Sequence, residues 1–104
     1  MNDPVIEALE AWYAAQCDGE WEHSFGLVIE TLDNPGFSVT IDLTGTNLAN
    51  RPFSPLSDLS DASAWIQCTV ENGKFKGHGG PRMLGRILST FIAWSRSNAG
   101  GNAS

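Results

Sequence analysis

The chain of 104 residues carries a formal net charge of −6, and 41% of its residues are hydrophobic, with four Trp and five Phe. This length fits one domain, which buries roughly two-thirds of its unfolded surface and needs no disulfide or metal to fold. The hydrophobic content excludes an acidic disordered chain, and no run approaches the roughly 20 apolar residues of a membrane span.

Charge is distributed unequally along the chain. The first fifty residues contain nine Asp and Glu and no Lys or Arg, whereas the rest contains all six bases and three acids. A surface of negative sign repels nucleic acid and anionic lipid and attracts basic proteins. The acidic N-terminus is followed by no apolar run of the signal-sequence type. We therefore expect a cytoplasmic protein that binds neither nucleic acid nor membrane and has a basic partner.

The first predicted element is a helix from about Pro4 to Gln16. Asp3 provides an N-cap, and Pro4 suits the first helical position. Apolar residues recur at helical spacing between Val5 and Tyr13. Gly19 supplies a left-handed residue that ends the helix.

From Trp21 the apolar period changes to two, which predicts a strand that runs through Ile29. A second, half-buried strand is predicted from Phe37 to Leu43. Between the two strands, Pro35 and Gly36 are expected at the central positions of a type II turn. The two strands therefore form an antiparallel hairpin.

The middle of the chain is predicted to be mainly irregular. Residues 44–47 indicate a loop, and Pro52 and Pro55 restrict the following segment to an edge strand or irregular structure. A short edge strand near Phe53 is one of these alternatives.

A second hairpin is predicted near the end of the sheet. Residues 65–70 alternate as a strand, with Ile66, Cys68 and Val70 on one face. Asn72-Gly73 is a typical two-residue hairpin turn and leads into a strand around Phe75.

The last predicted element is a second helix. The glycine-rich residues 77–80 are expected to end the sheet at a corner, with His78 as a polar loop residue, and Pro81 to open the helix. We therefore predict an α+β fold, an antiparallel sheet of four or five strands with an N-terminal and a C-terminal helix packed on one face. Residues 1–96 would form this single domain, and residues 97–104 a disordered tail.

An acidic cluster precedes the first strand, because Asp18, Glu20, Glu22 and His23 lie within six residues. Glu20 and Glu22 would share a face if the segment were extended, as a metal site or an acid/base pair requires. No second cluster completes a coordination sphere, so a solvated acidic loop is the favoured interpretation. Contacts to a basic partner are compatible with that loop.

Trp21, flanked by two carboxylates, has the composition of an interface anchor, although a Trp that fills the end of the core fits equally well. Cys17 and Cys68 are expected to be reduced thiols. The Cys and His residues lack the close spacing of a zinc site, so we predict no metal and no cofactor.

Several short motifs follow one another in order along the chain. They are Gln16-Cys17-Asp18-Gly19-Glu20-Trp21-Glu22-His23, Ile29–Gly36, Ile41–Thr46, Trp65–Cys68, Val70–Gly73 and Gly79–Pro81. Together they resemble the immunity protein 53 family over roughly Ile6 to Trp94. The resemblance implies an α+β immunity protein of a bacterial polymorphic toxin system, which protects the producing cell by binding a cognate toxin domain.

The resemblance implies no catalytic residues, so we predict that the protein is not an enzyme. The alternative is a small enzyme of the rhodanese-related sulfurtransferase type. Cys17 lies among acids and not in the cation-rich loop that a persulfide carrier needs, and Cys68 lies within a predicted strand, so neither suits that role.

An acidic inhibitor could imitate a phosphate backbone and cover the basic site of its toxin. We expect the contacts with the toxin to come from the acidic half of the chain and its neighbouring loops. The predicted partner-binding residues are Asp18, Glu20, Trp21, Glu22, Glu30, Asp42 and Asn47.

Overall fold

Three helices and five strands follow one another between residues 4 and 97, the part of the chain that this computed structural model describes. The helices are α1 (Pro4–Gln16), α2 (Trp21–Ser24) and α3 (Leu84–Ser97). The strands are β1 (Leu27–Leu32), β2 (Gly36–Asp42), β3 (Leu56–Asp58), β4 (Ile66–Glu71) and β5 (Lys74–Gly79). All neighbours pair antiparallel in the order β1-β2-β5-β4-β3. The predicted α+β fold is confirmed.

The core lies between one face of the sheet and the helices α1 and α3. Alternate residues of β2, β4 and β5 face this layer, as the period of two predicted. Its fully buried side chains include Val39, Ile41, Leu43, Leu48, Ile66, Cys68, Phe75, Ile87, Leu88 and Phe91. From α1, Leu9 joins this core, and the ring of Trp12 lies edge-on to that of Phe91, with the centroids 4.9 Å apart.

The strand β5 continues as far as Gly79, so the predicted placement of residues 77–79 in a corner outside the sheet was wrong, and the sheet ends only before Gly80. The reason lies in the packing of α3. A Cβ on Gly77 would collide with the side chain of Ile87, and one on Gly79 would lie 2.9 Å from Cβ of Met83. Glycine at these positions lets α3 lie close to the sheet.

The second long helix begins later than Pro81, which corrects the predicted boundary. Pro81 lies in a turn that the N–H of Met83 closes by donating to the carbonyl of Gly80 (3.1 Å). The first helical hydrogen bond runs from the N–H of Ile87 to the carbonyl of Met83 (2.9 Å). The helix α3 therefore begins at Leu84.

The two hairpin turns differ in how well local sequence predicts them. Asn72 and Gly73 have φ values of 54° and 74°, as the predicted Asn-Gly turn requires. The prediction of a type II turn with Gly36 at a central position was wrong. Gly36 has no positive φ, and it pairs with Leu32 as the first residue of β2. A Cβ on Gly36 would collide with the carbonyl of Gly79, so close strand approach selects glycine there.

The edge strand β3 lies at Leu56–Asp58 and not near Phe53. Phe53 instead packs its ring against Phe75 and Trp94, with centroid distances of 5.6 Å and 5.2 Å. Pro55 directly precedes β3, where its missing N–H costs no sheet hydrogen bond.

The other face of the sheet carries no helix within residues 4–97 and presents mostly polar side chains. One row across it consists of Glu30, Ser38, His78 and Gln67. His78 is therefore a strand residue and not the loop residue that was predicted. Trp65 precedes β4 on the same face and is half-buried.

The predictions for the two ends of the chain fall partly outside residues 4–97. Asp3, the predicted N-cap, lies outside the described residues, as do residues 98–104 of the predicted tail. Ser97, which was also predicted to belong to the tail, is the last residue of α3. None of the helices in the described part of the chain is long and apolar enough to cross a membrane.

Candidate functional site

The acidic segment between α1 and β1 forms a hydrogen-bonded turn that leads into α2, so the strand predicted to start at Trp21 begins later, at Leu27. The carboxylate of Asp18 accepts hydrogen bonds from the N–H groups of Glu20 and Trp21, both at 2.9 Å. In return, the carboxylate of Glu22 accepts from the N–H groups of Asp18 (3.0 Å) and Gly19 (2.8 Å). Such reciprocal side-chain bonds favour a helix start over a strand.

Two of the three acids in this turn, Asp18 and Glu22, stabilise it, and the third, Glu20, does not. The backbone N–H groups of Trp21 and then Glu20 lower the pKa of Asp18 below its ordinary value, so its charge is kept at neutral pH. The carboxylates of Asp18 and Glu22 hold the turn, although both remain accessible. Glu20 is exposed, and its carboxylate has no hydrogen-bond or ion-pair partner within residues 4–97. Glu20 therefore presents the carboxylate of this turn that is most available to a partner.

Trp21 connects the acidic turn to the rest of the fold. It is 7% exposed, and its indole N–H donates to the carbonyl of Thr44 at 2.8 Å. Its ring is roughly perpendicular to that of Trp12 and inclined to that of Tyr13, with both centroid distances 6.1 Å. This burial agrees with the interpretation of a Trp that fills the end of the core, and a contact with a partner stays a prediction.

Asp42 ends β2 beside the loop that Trp21 reaches. Its carboxylate accepts from the N–H of Thr44 (3.1 Å) and forms an ion pair with Nζ of Lys74 (3.2 Å). Burial acts to raise the pKa of Asp42, but the hydrogen bonds from Thr44 and the charge of Lys74 outweigh it and lower that pKa. Because its side chain is 15% exposed, Asp42 serves mainly the fold.

The remaining two predicted contacts lie on different parts of the surface. Asn47 is exposed in the loop after β2, and its carbonyl accepts a long hydrogen bond of 3.4 Å from Nε of Arg51. Glu30 is exposed in the middle of β1, on the open face of the sheet opposite Ser38. The structure thus groups four predicted contacts in the acidic turn, connects them to the Asp42 loop through Trp21, and places Glu30 along the neighbouring strand.

The sequence did not predict an apolar groove that lies between α1 and β1. It has a volume of about 450 Å³ and is lined by Leu9, Glu10, Tyr13, Phe25, Gly26 and Leu27. Exposed apolar side chains on the same two elements are Ile6 (39%), Tyr13 (38%), Val28 (51%) and Ile29 (39%). We name this feature the α1–β1 groove. Its residues followed the same periodicities as core residues, so only the packing of α1 against the sheet distinguishes them.

Comparison with known protein families identifies the family of this chain. The model of the immunity protein 53 family matches residues 6–96. The chain belongs to the immunity protein 53 family. No curated protein and no solved structure matches the chain. Membership supports an immunity function in general terms, and it confirms the resemblance in the motifs.

The two thiols of this immunity protein 53 family member occupy different environments. Cys68 is fully buried, and burial raises the pKa of its thiol to about 11, so the nucleophilic thiolate is disfavoured. Cys17 is exposed, and its thiol donates to the carbonyl of Tyr13 at 3.4 Å. Within residues 4–97, no three His, Cys, Asp or Glu residues come together in a way that could hold a metal ion.

Proposed function

We propose that this protein is a cytoplasmic immunity protein that binds a cognate toxin domain of a bacterial polymorphic toxin system and neutralises it stoichiometrically. Family membership supports a function in immunity. The observation that supports binding to a basic toxin is the charge of the elements from the first half of the chain. The elements α1, α2, β1 and β2 contain no Lys or Arg.

The acidic surface would attract a basic toxin domain electrostatically. A partner with a basic active site is steered toward a surface of negative sign, and its association is fastest at low ionic strength. Exposed carboxylates without internal partners keep their full attraction for an incoming cation. Glu20 and Glu30 are both exposed, and neither has a side-chain partner in the described part of the chain. We assign them the direct ionic contacts.

The other predicted contacts act in this proposal by fixing the shape of the surface. Asp18 and Glu22 hold the acidic turn, and Trp21 fastens it to the loop after β2. Asp42 and Asn47 border that loop, where Asn47 is exposed. Trp21 and Asp42 contribute to binding chiefly through the fold.

A charge-reversal pair tests the proposal. Glu20→Lys reverses the free carboxylate of the acidic turn, whereas Glu71→Lys makes the same change in net charge at the end of β4, on the turn between β4 and β5. An exposed ion pair contributes about 0.2–1 kcal/mol, and reversal adds repulsion of similar size. We therefore expect Glu20→Lys to slow association with the toxin domain that is encoded beside this gene, by about two- to thirtyfold at low salt.

The measurement is stopped-flow association at several salt concentrations, accompanied by protection of cells that express the toxin domain. The salt dependence of the association rate should be weaker for Glu20→Lys than for the wild type and for Glu71→Lys. Equal slowing in both variants would assign the effect to net charge alone and remove the acidic turn from the interface. A wild-type protein that neither binds nor protects would contradict the proposed function.

A further inference from the structure

The hydrogen bonds between β1 and β2 show which residues of β1 bond to β2 through their backbone N–H and C=O groups. The N–H of Asp42 donates to the carbonyl of Gly26 at 2.9 Å, so these opposed residues form a hydrogen-bonded pair. Bonded and non-bonded pairs alternate in an antiparallel ladder. Val28 and Glu30, two and four residues further along β1, therefore bond to β2.

The remaining residues of β1 direct their backbone groups away from the sheet. Leu27, Ile29 and Thr31 lie at the non-bonded positions of the β1–β2 ladder, and β1 is the first strand in the sheet order. Their N–H and C=O groups have no hydrogen-bond partner within residues 4–97. Such a row of free groups is a template for one more strand.

The outward edge of β1 begins at the α1–β1 groove, because Leu27 lines that groove. Leu27, Ile29 and Thr31 share the face of the sheet that α1 and α3 cover, because they stand opposite Ile41, Val39 and Phe37. A strand added at this edge would direct every second side chain to that face, and the groove of about 450 Å³ can receive apolar ones.

The two edges of the sheet differ in ways that support this role for β1. The strand β3 has three residues and directly follows Pro55, features that discourage pairing. The strand β1 has six residues, and Val28 and Ile29 are 51% and 39% exposed. This edge is long enough to pair with a partner.

The negative charge near the β1 edge favours a basic partner over a second copy of this chain. Glu7 and Glu10 lie on α1 and Glu30 lies on β1, and neither element contains Lys or Arg. A second copy paired through β1 would bring two such surfaces together, and their like charges would repel. A segment with Lys or Arg between its apolar residues would instead be attracted.

We propose that an extended segment of the toxin domain, with alternating apolar and basic residues, adds to β1 as a sixth strand. Its backbone bonds to Leu27, Ile29 and Thr31, its apolar side chains enter the α1–β1 groove, and its cations lie on the open face of the sheet near Glu30. This inference rests on the proposed function and specifies the surface through which the toxin is held.

Adjacent residues of β1 provide a matched pair of variants. Ile29→Glu places a carboxylate on the groove side, and Val28→Glu places the same charge on the open face of the sheet, where Glu30 lies. Both side chains are exposed, so neither change disrupts the core. Calorimetric titration with the toxin domain should show affinity at least about tenfold weaker for Ile29→Glu, and affinity equal to or greater than that of the wild type for Val28→Glu.

A second pair separates the backbone from the side chain. Thr31→Pro removes an outward N–H without breaking a bond to β2, whereas Thr31→Val keeps that N–H and the shape of the side chain. Thr31→Pro should weaken binding about tenfold, and Thr31→Val should leave it unchanged. Thermal unfolding of each variant checks that the fold is kept.

Amide hydrogen exchange tests the added strand without any substitution. In the free protein the amides of Leu27, Ile29 and Thr31 should exchange faster than those of Val28 and Glu30. Toxin binding should slow the first three by at least about tenfold. If the wild type binds but these amides are unaffected and the two Glu variants bind equally, the inference fails and the proposed function stands. If the wild type does not bind the toxin domain, both fail.

Discussion

The substitution Trp21→Phe distinguishes support of the acidic turn from direct contact with a toxin. Trp21 is 7% exposed, so at most about 20 Å² of its surface of about 250 Å² remains for a partner to cover. At roughly 25 cal/mol per Å², this area contributes about 0.4 kcal/mol, or a factor of about two in affinity.

The same substitution has a larger expected effect on folding. It removes the hydrogen bond from the indole N–H to the Thr44 carbonyl, worth about 0.5–1.5 kcal/mol, and leaves unfilled space beside Trp12 and Tyr13. The total loss should be about 1–3 kcal/mol. For a domain near this size, each kcal/mol lowers Tm by about 4–8 °C.

Circular dichroism melting and calorimetric titration with the toxin domain measure the two effects separately. Titration at a temperature where the variant is fully folded should give an affinity within about threefold of the wild type. An unchanged Tm together with affinity reduced more than about tenfold would refute the supporting role and make Trp21 an interface anchor.

Two further predictions concern Asp42 and the cysteines. Because the pKa of Asp42 is lower in the folded protein than the unfolded value of about 3.9, its carboxylate stabilises the fold above that value, and this contribution is lost as pH falls below it. Asp42→Asn should therefore lower the free energy of unfolding by about 0.5–1 kcal/mol at pH 7, a modest loss because its lysine partner is 42% exposed. Urea titrations should show the difference shrinking below about pH 4, and a constant difference would contradict this account. The double variant Cys17→Ser/Cys68→Ala should protect cells from the toxin as the wild type does, while the cavity at Cys68 lowers stability by about 1–2 kcal/mol. Loss of protection by this double variant, with the fold intact, would support the sulfurtransferase alternative.

The parts of the fold that sequence predicted depend on local chemistry. The Asn72-Gly73 turn follows from two residues that accept positive φ, and α1 follows from apolar spacing and an N-terminal proline. The parts that it missed depend on contacts between distant segments. Residue 77 within β5 is a glycine because a Cβ there would collide with Ile87 of α3. Phe53 lies outside the edge strand because its ring packs against Phe75 and Trp94.

The candidate site was predictable to a similar degree. Its acidic composition could be read directly, and Asp is a residue type that often accepts hydrogen bonds from the backbone N–H groups two and three residues later, as Asp18 does. The α1–β1 groove could not be read, because its existence depends on where α1 lies relative to β1. Periodicity alone assigns Ile6 and Tyr13 to the core, whereas in the structure both are exposed.

Calorimetric titration of the wild-type protein with the toxin domain encoded beside its gene tests the central claim most directly. It should be made at about 0.1 M and about 1 M salt, between which the Debye length falls from about 10 Å to about 3 Å. The account predicts one-to-one binding that is tight at the lower salt concentration and clearly weaker at the higher one. The absence of binding at both concentrations would contradict it.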